Sequence, residues 1–461
     1  MNAHYDLIII GAGSGNSIPS RKFKDWKIAI VEKGSFGGTC LNAGCIPTKM
    51  FVKTADAAYS AAHSSHLGLD TGFNGADWPA IVDRIFTKRV DPIASGGEEF
   101  RRGDGSPNVT VYDMHATFVG DRTISTGRGG KEETISADQI VIAAGARPVI
   151  PEWASDITHY TSENIMRIAK QPESLIIVGG GFIAMEFAHI FNALGTKVTV
   201  VNRSELLRTL DHDFVERFNE IARNTYEVHE RATVTEARED DAGVTLTLDD
   251  GTKVTSEALL VATGRRPNGD LLNAHAGGIE LVDGARIRVD RYGRTTAEGV
   301  WALGDVSSPY QLKHVSNAET RAIKHNLLNP NDLVAMPHDH VPYAVFTHPE
   351  IATVGMTEAQ AREAGHDVTT KVQKYGDVAY GWALDDTSGM CKLVADRSTG
   401  RLLGAHYMGP QASTLIQQMI TVLAYDIDLR GFARGQYWIH PSLAEVTENA
   451  ILGLDLQLSN S

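Results

Sequence analysis

Tyr5-Asp-Leu-Ile-Ile-Ile10 runs directly into Gly11-Ala-Gly13-Ser14-Gly15-Asn16. An apolar strand former followed by three closely spaced glycines reads as strand, tight turn and helix. In that arrangement the backbone approaches a pyrophosphate at the positive end of the helix. Asn16 stands where the third glycine of a G-x-G-x-x-G pattern belongs, so this copy is weak by itself. A second copy supports it: Ser174-Leu-Ile-Ile-Val178, then Gly179-Gly-Gly181-Phe182-Ile183-Ala184 and a helical run from Met185 to Leu194.

Each copy is followed by another strand. Lys27-Ile-Ala-Ile-Val-Glu32 ends in an acid about 20 residues beyond the first glycine, where a carboxylate accepts hydrogen bonds from an adenosine ribose. Lys197-Val-Thr-Val-Val-Asn202 ends in an amide, with Arg203 and Arg208 just beyond. The missing carboxylate and the nearby guanidiniums suit a 2′-phosphate, so NADPH is expected here rather than NADH. The bland alternative is that both arginines are solvated surface charges. Each half closes alike, with Gln139-Ile-Val-Ile-Ala-Ala-Gly145-Ala-Arg-Pro148 matched by Ala258-Leu-Leu-Val-Ala-Thr-Gly264-Arg-Arg-Pro267. These repeats predict an α/β chain with two dinucleotide-binding (Rossmann-like) folds, the second between about residues 150 and 270.

The 461 residues allow about three domains. With 43 Lys and Arg against 57 Asp and Glu, the net charge of −14 argues against nucleic acid or an anionic membrane surface as partner. No apolar run approaches the roughly 18 residues of a membrane span. Met1 to Asp6 lacks a basic-then-apolar leader, so a cytoplasmic location is expected. Of three cysteines, Cys40 and Cys45 lie five apart and Cys391 stands alone. Such a pair in a reducing compartment points to redox chemistry or a metal. Further Cys or His ligands at zinc spacing do not flank it, so redox is favoured and no metal is expected.

The segment Gly37-Gly38-Thr39-Cys40-Leu-Asn-Ala-Gly-Cys45-Ile-Pro-Thr-Lys49 resembles the redox-disulfide signature of the class I flavoprotein disulfide reductases. Thr295 to Asp305, Phe346 to Gly355 and His440-Pro-Ser-Leu-Ala-Glu445 match further family stretches in order. The resemblance implies an FAD-binding domain over 1–150 and 271–337, with an NADPH-binding domain (151–270) inserted in it. A C-terminal α+β dimerisation domain over 338–461 would complete a homodimer with shared active sites. Strand-like Lys392 to Ala395 and Leu402 to Ala405, and a helix from Ala412 to Ala424, agree with the last.

By the same resemblance Cys40 attacks the substrate disulfide, Cys45 lies against the flavin, and His440, oriented by Glu445, moves the proton. A helix start beneath the cysteines would favour their thiolates. Lys49 and Glu186 pair near the flavin, and Asp305 meets its ribitol. Gly11, Gly13, Ser14, Gly15, Glu32, Gly38, Thr39, Ala116, Gly145 and Leu312 are the remaining FAD candidates. Gly179, Gly181, Phe182, Ile183, Asn202, Arg203, Arg208 and Gly264 are those for NADPH.

Among the family's branches, mercuric reductases and high-molecular-weight thioredoxin reductases carry C-terminal cysteines, whereas this chain has none after Cys391. Ser14-Gly-Asn-Ser17, Tyr375 to Trp382, Asp386 to Gly389 and Gln436-Tyr437-Trp438-Ile-His440 resemble the mycothione reductase branch. Mycothione is therefore the expected small-molecule disulfide substrate. Glutathione reductase and dihydrolipoyl dehydrogenase, the latter as a subunit of a 2-oxoacid dehydrogenase complex, are the alternatives. Tyr437 and Trp438 are read either as a platform for a sugar ring or as interface core.

Overall fold

A computed structural model describes residues 3–457. The outer limits of the expected first and third domains, residues 1–2 and 458–461, lie outside them. Strand Ala3–Ile10 is central to the first sheet. It pairs in parallel with Ile28–Val31 on one side and Lys131–Ile142 on the other, and Val109–Tyr112 lies beyond Ile28–Val31. Leu7, Ile8, Ile9 and Ile10 are all buried, as a strand covered on both faces requires. The 12-residue strand Lys131–Ile142 also receives Val300–Ala302 in parallel, opposite Ile140 to Ile142. Residues around 300 therefore return to the sheet that residue 3 began.

The second sheet is wholly parallel, in the order Glu227–Glu230, Lys197–Asn202, Ser174–Val178, Ala258–Val261. The repetition extends to single hydrogen bonds. Gly11 N donates to Val31 O at 2.8 Å and Gly179 N to Val201 O at 2.9 Å. A Cβ on Gly11 would collide with the Ala143 carbonyl, and one on Gly179 with the Ala262 carbonyl. Both glycines also hold φ in the left-handed region (+105° and +136°), so glycine is required at each turn. The repeated closing segments pair with each other, Arg265 opposite Pro148 and Pro267 opposite Ala146.

The copies differ beyond the turn. Gly181 leads into a 12-residue α-helix, Phe182–Ala193, which starts three residues earlier than the sequence implies. After the first turn the expected helix is absent, and two 3₁₀ turns, Gly15–Ser17 and Arg21–Phe23, replace it. Pro19 lacks an N–H to continue a helix, and Ser20 is fully extended.

The C-terminal part is a five-stranded antiparallel sheet in the order Tyr343–Val345, Ile351–Gly355, Leu402–Met408, Met390–Asp396, Val368–Lys374. The helix expected from Ala412 to Ala424 is two, Ala412–Leu415 and Gln417–Ala424. An i→i+3 bond from Met419 N to Ile416 O tightens the turn between them. No described helix is long and apolar enough to cross a membrane.

Lys392, on the strand Met390–Asp396, ties this part to the second nucleotide-binding fold. Its ammonium is buried and lies 2.8 Å from carboxylate oxygens of Asp211, Asp213 and Glu358. Burial alone would raise the pKa of Asp211, but the Lys392 and Glu358 N–H bonds outweigh it, and the net shift is downward. The stabilisation from Asp211 is thus present above its ordinary value near 3.9 and is lost as pH falls through the lower folded value. Lys392→Met leaves a buried carboxylate uncompensated and is expected to cost about 3–5 kcal/mol in urea unfolding at pH 7. At pH 3 the cost should shrink.

Candidate active site

The two cysteines sit on successive elements. Cys40 lies in a single-turn helix, Gly38–Asn42, and Cys45 is the first residue of the 19-residue helix Cys45–His63. Only Cys45 therefore stands at the positive end of a long helix, whereas the sequence implies that position for both. Pro47 fits in its first turn, where N–H groups have no helical acceptor. Both cysteines are free thiols in hydrogen-bond contact. The Cys40 thiol, followed by Lys49, brings Cys45 down to about 7, against the opposing effect of burial. Donation to Cys45 and burial push Cys40 well above the usual thiol range.

Lys49, one turn along the Cys45 helix, places its ammonium 2.5 Å from Glu186 Oε2. Glu186 is buried on the helix Phe182–Ala193, and its other oxygen accepts the Phe346 N–H at 3.0 Å. The Lys49 ammonium also lies 4.7 Å from the centroid of the Phe346 ring. Segments from three parts of the chain thus converge on this ion pair.

These groups line a cavity of about 550 Å³. Of the FAD candidates, Gly11, Gly13, Ser14, Glu32, Gly38, Thr39, Ala116, Gly145 and Asp305 line it, and so do Phe182 and Ile183 from the second fold. Glu32 accepts the Ala12 and Gly34 N–H groups, one on each oxygen at 2.8 Å, and each oxygen keeps a lone pair for a ribose hydroxyl. Asp305 follows the strand Val300–Ala302 and accepts no hydrogen bond from another side chain among the described residues. Burial raises its pKa, with Glu319 adding to this and Arg265 and Lys313 opposing it. A carboxylate in that position is suited to hydroxyl donors from a ribitol chain. Gly38 and Gly13 touch backbone to backbone, since a Cβ on Gly38 would lie 2.7 Å from the Gly13 Cα. The donor set and the bare backbone fit an elongated dinucleotide.

Two candidates leave that wall. Gly15 is buried against the sheet, where a Cβ would meet Ile9 and Ala143 at 2.8 and 2.9 Å, so its smallness serves packing. Leu312 is an extended residue before the helix Lys313–Leu328, and only its neighbours Gln311 and Lys313 line the cavity. Lys313, Arg265 and Ser162 also line it; Arg265 belongs to the repeated closing segment, and no local sequence pattern marks the other two.

Gly179, Gly181, Asn202, Arg203, Arg208 and Gly264 form a second neighbourhood outside the cavity wall. Asn202 Nδ2 donates to Ser204 O and Glu205 O at 2.8 and 3.2 Å, which ties the loop after its strand. Leu207 N donates to Gly180 O at 2.8 Å and draws that loop onto the glycine turn. Arg203 and Arg208 are exposed, and neither has a carboxylate partner among the described residues.

His440 Nδ1 lies 2.8 Å from Glu445 Oε1, and Ser442 N donates to Glu445 Oε2 at 3.0 Å. Burial opposes ionisation of Glu445, but these two donors prevail and hold its pKa below the ordinary value. The His440 side chain is 70% exposed and lines no part of the cavity in its own chain. Trp438 folds inward, its indole donating to Ala433 O at 2.7 Å, while Tyr437 is fully exposed. Cys391 is buried in the C-terminal core, where burial pushes its thiol up to about 12.

Comparison with known proteins places this geometry. Residues 5–322 match the pyridine nucleotide-disulphide oxidoreductase family model, and residues 341–451 match the family's dimerisation domain. The chain belongs to the pyridine nucleotide-disulphide oxidoreductases. This family is FAD-dependent and uses pyridine nucleotides, and its dimerisation domain implies a homodimer. The chain is 50% identical to mycothione reductase of Mycobacterium tuberculosis over 98% of its own length and 99% of that protein's. It is 31% identical to dihydrolipoyl dehydrogenase of Halobacterium salinarum over 96% of the chain and 95% of that protein. The HOCl-induced flavoprotein disulfide reductase RclA of Escherichia coli, solved as a Cu(II) complex, superposes with a TM-score of 0.87 at 28% identity. That match covers 98% of this chain and 99% of the other.

The thiol pair gives a direct test. In the reduced protein the pair's lower apparent pKa, read from thiolate absorbance, is expected near 7. Cys40→Ala should raise the Cys45 value more than Lys49→Met does, because the thiol donor contributes more than the ammonium.

Proposed function

We propose that the protein is a mycothione reductase that draws electrons from NADPH and passes them through Cys40 and Cys45. Full-length 50% identity to a mycothione reductase is the observation that carries the substrate assignment. A bound flavin would supply two-electron transfer between the nicotinamide and the Cys40–Cys45 disulfide.

In this reading His440 Nε2 takes the Cys40 thiol proton as the Cys40 sulfur attacks one sulfur of mycothione and expels the first mycothiol as a thiolate. His440 gives that leaving group its proton from Nε2 while Glu445 holds Nδ1–H. The Cys45 thiolate then attacks Cys40 sulfur in the mixed disulfide. The second mycothiol leaves, and the internal disulfide closes. A thiol with a pKa near 7 is matched to that second attack, being largely ionised while still nucleophilic. Lys49 lines the cavity with a fixed positive charge that would favour negative charge on a reduced flavin, and Glu186 holds it in place.

Unpaired Arg203 and Arg208, with Asn202 in place of a carboxylate, support NADPH as the donor. NADPH should exceed NADH in kcat/KM by at least about tenfold, one charge-assisted contact being worth roughly 1.5–3 kcal/mol. Arg208→Ala should erode that preference and spare NADH, whereas equal use of both by the unaltered enzyme would favour the dihydrolipoyl dehydrogenase reading.

His440 outside its own chain's cavity supports a site completed by the partner subunit. Cys40→Ala and His440→Ala should each be nearly inactive alone. Unfolded and refolded together in equal amounts, about half the dimers should be hybrids, and roughly a quarter of all sites should regain activity. Confirmed hybrids with no activity would refute the shared site.

A further inference from the structure

The first Gly-rich turn lacks the helix whose N-terminus would supply roughly half a positive charge to a pyrophosphate. A three-residue 3₁₀ turn, Gly15–Ser17, supplies little of that field. Three cations surround it instead. Lys313 opens the 16-residue helix Lys313–Leu328, and its ammonium donates to Ser14 Oγ at 2.8 Å. It lines the cavity beside Gly13, Gly38 and Thr39, and no carboxylate pairs with it among the described residues. An ammonium has three donors, and the serine takes one.

The other two cations hold the turn from outside the cavity wall. Arg101 donates from Nε to Asn16 Oδ1 and from Nη2 to Asn16 O, both at 2.7 Å, and reaches Pro19 O at 3.3 Å. Lys324 Nζ donates to Ser17 O at 3.0 Å. These bonds satisfy carbonyls that a continuous helix would have paired internally. Neither cation has a carboxylate partner among the described residues. Burial, followed by the nearby charges of Lys22 and Arg101, lowers the pKa of Lys324. An anion binding at the turn would offset the mutual repulsion of Lys324, Lys22 and Arg101.

We propose that Lys313 is the cation that binds the pyrophosphate of FAD, in place of the missing helix terminus, with Arg101 and Lys324 as positioning residues for the turn. The inference rests on reading the cavity as the FAD site. Lys313 is on a different element from the glycine turn, so cofactor retention depends on the docking of the helix Lys313–Leu328 as well as on the turn.

The test is retention of FAD by the holoenzyme, followed by released flavin fluorescence on dilution at low and high salt. Lys313→Met and Lys313→Gln should each raise the Kd for FAD at least about tenfold at low salt, the value of one charge-assisted contact. Lys313→Arg should keep it within about threefold. The dependence of log Kd on log salt should become shallower in the two neutral variants, because an ion contact has been lost. Unchanged affinity in both would overturn the assignment. So would a loss that is equal at both salt concentrations and accompanied by a lower Tm of the flavin-free protein, which marks a structural role. An unaltered enzyme that purifies without flavin would instead overturn the FAD reading, and this inference with it.

Discussion

The contact between Gly13 and Gly38 is the constraint on which the site depends. Two backbones meet where Gly38 tolerates no side chain, so the redox segment must lie across the first dinucleotide turn. Cys40 then falls two residues beyond the contact and Cys45 begins a helix whose axis is already set. A single methyl group at Gly38 would push the segment away from the turn and open the cavity between them. The proximity of thiol chemistry to nucleotide binding is thus enforced by close packing of main chain, which has no soft alternative.

Once that contact is made, electrostatics fixes the remaining geometry. Lys49 lies four residues from Cys45, on the same face of one helix. Its pairing with Glu186 draws in the helix of the second fold, and the Phe346 N–H on the same carboxylate draws in the C-terminal part. Glu186 is buried and would be costly there without both partners. The pair therefore orients three segments and keeps a cation beside Cys45, where it favours the thiolate.

Much of this is legible because it is written locally. Cys40, Cys45 and Lys49 are fixed within ten residues, and His440 and Glu445 are five apart around a proline. Glu32 emerges from the spacing of strand, turn and strand in the duplicated fold, and Glu186 from the family resemblance of the second Gly-rich helix. The parts that escape come from elsewhere in the chain. Lys313, Arg265 and Ser162 reach the cavity from a helix start, a short strand and a turn, and only the tertiary arrangement brings them together there. The first helix fails for a different reason. Its glycines promise a helix, but Pro19, three residues on from Asn16, denies it an N–H, and the pattern of glycines carries no information about that residue.

The same loss explains why side-chain cations gather at the first turn and not at the second. Gly181 is followed by twelve helical residues whose dipoles face the turn, and the nearby arginines, Arg203 and Arg208, belong to a loop one strand away. At the first turn the dipole is missing, and charge arrives on three long side chains from two other helices, Asp91–Arg102 and Lys313–Leu328. A helix dipole is inseparable from the backbone, whereas an ammonium on a flexible stem responds to ionic strength and to the docking of its own helix. The two halves of the duplicated fold thus reach similar turns by unequal physics. The first half, which holds the redox segment, is the one whose charge depends on contacts between distant parts of the chain.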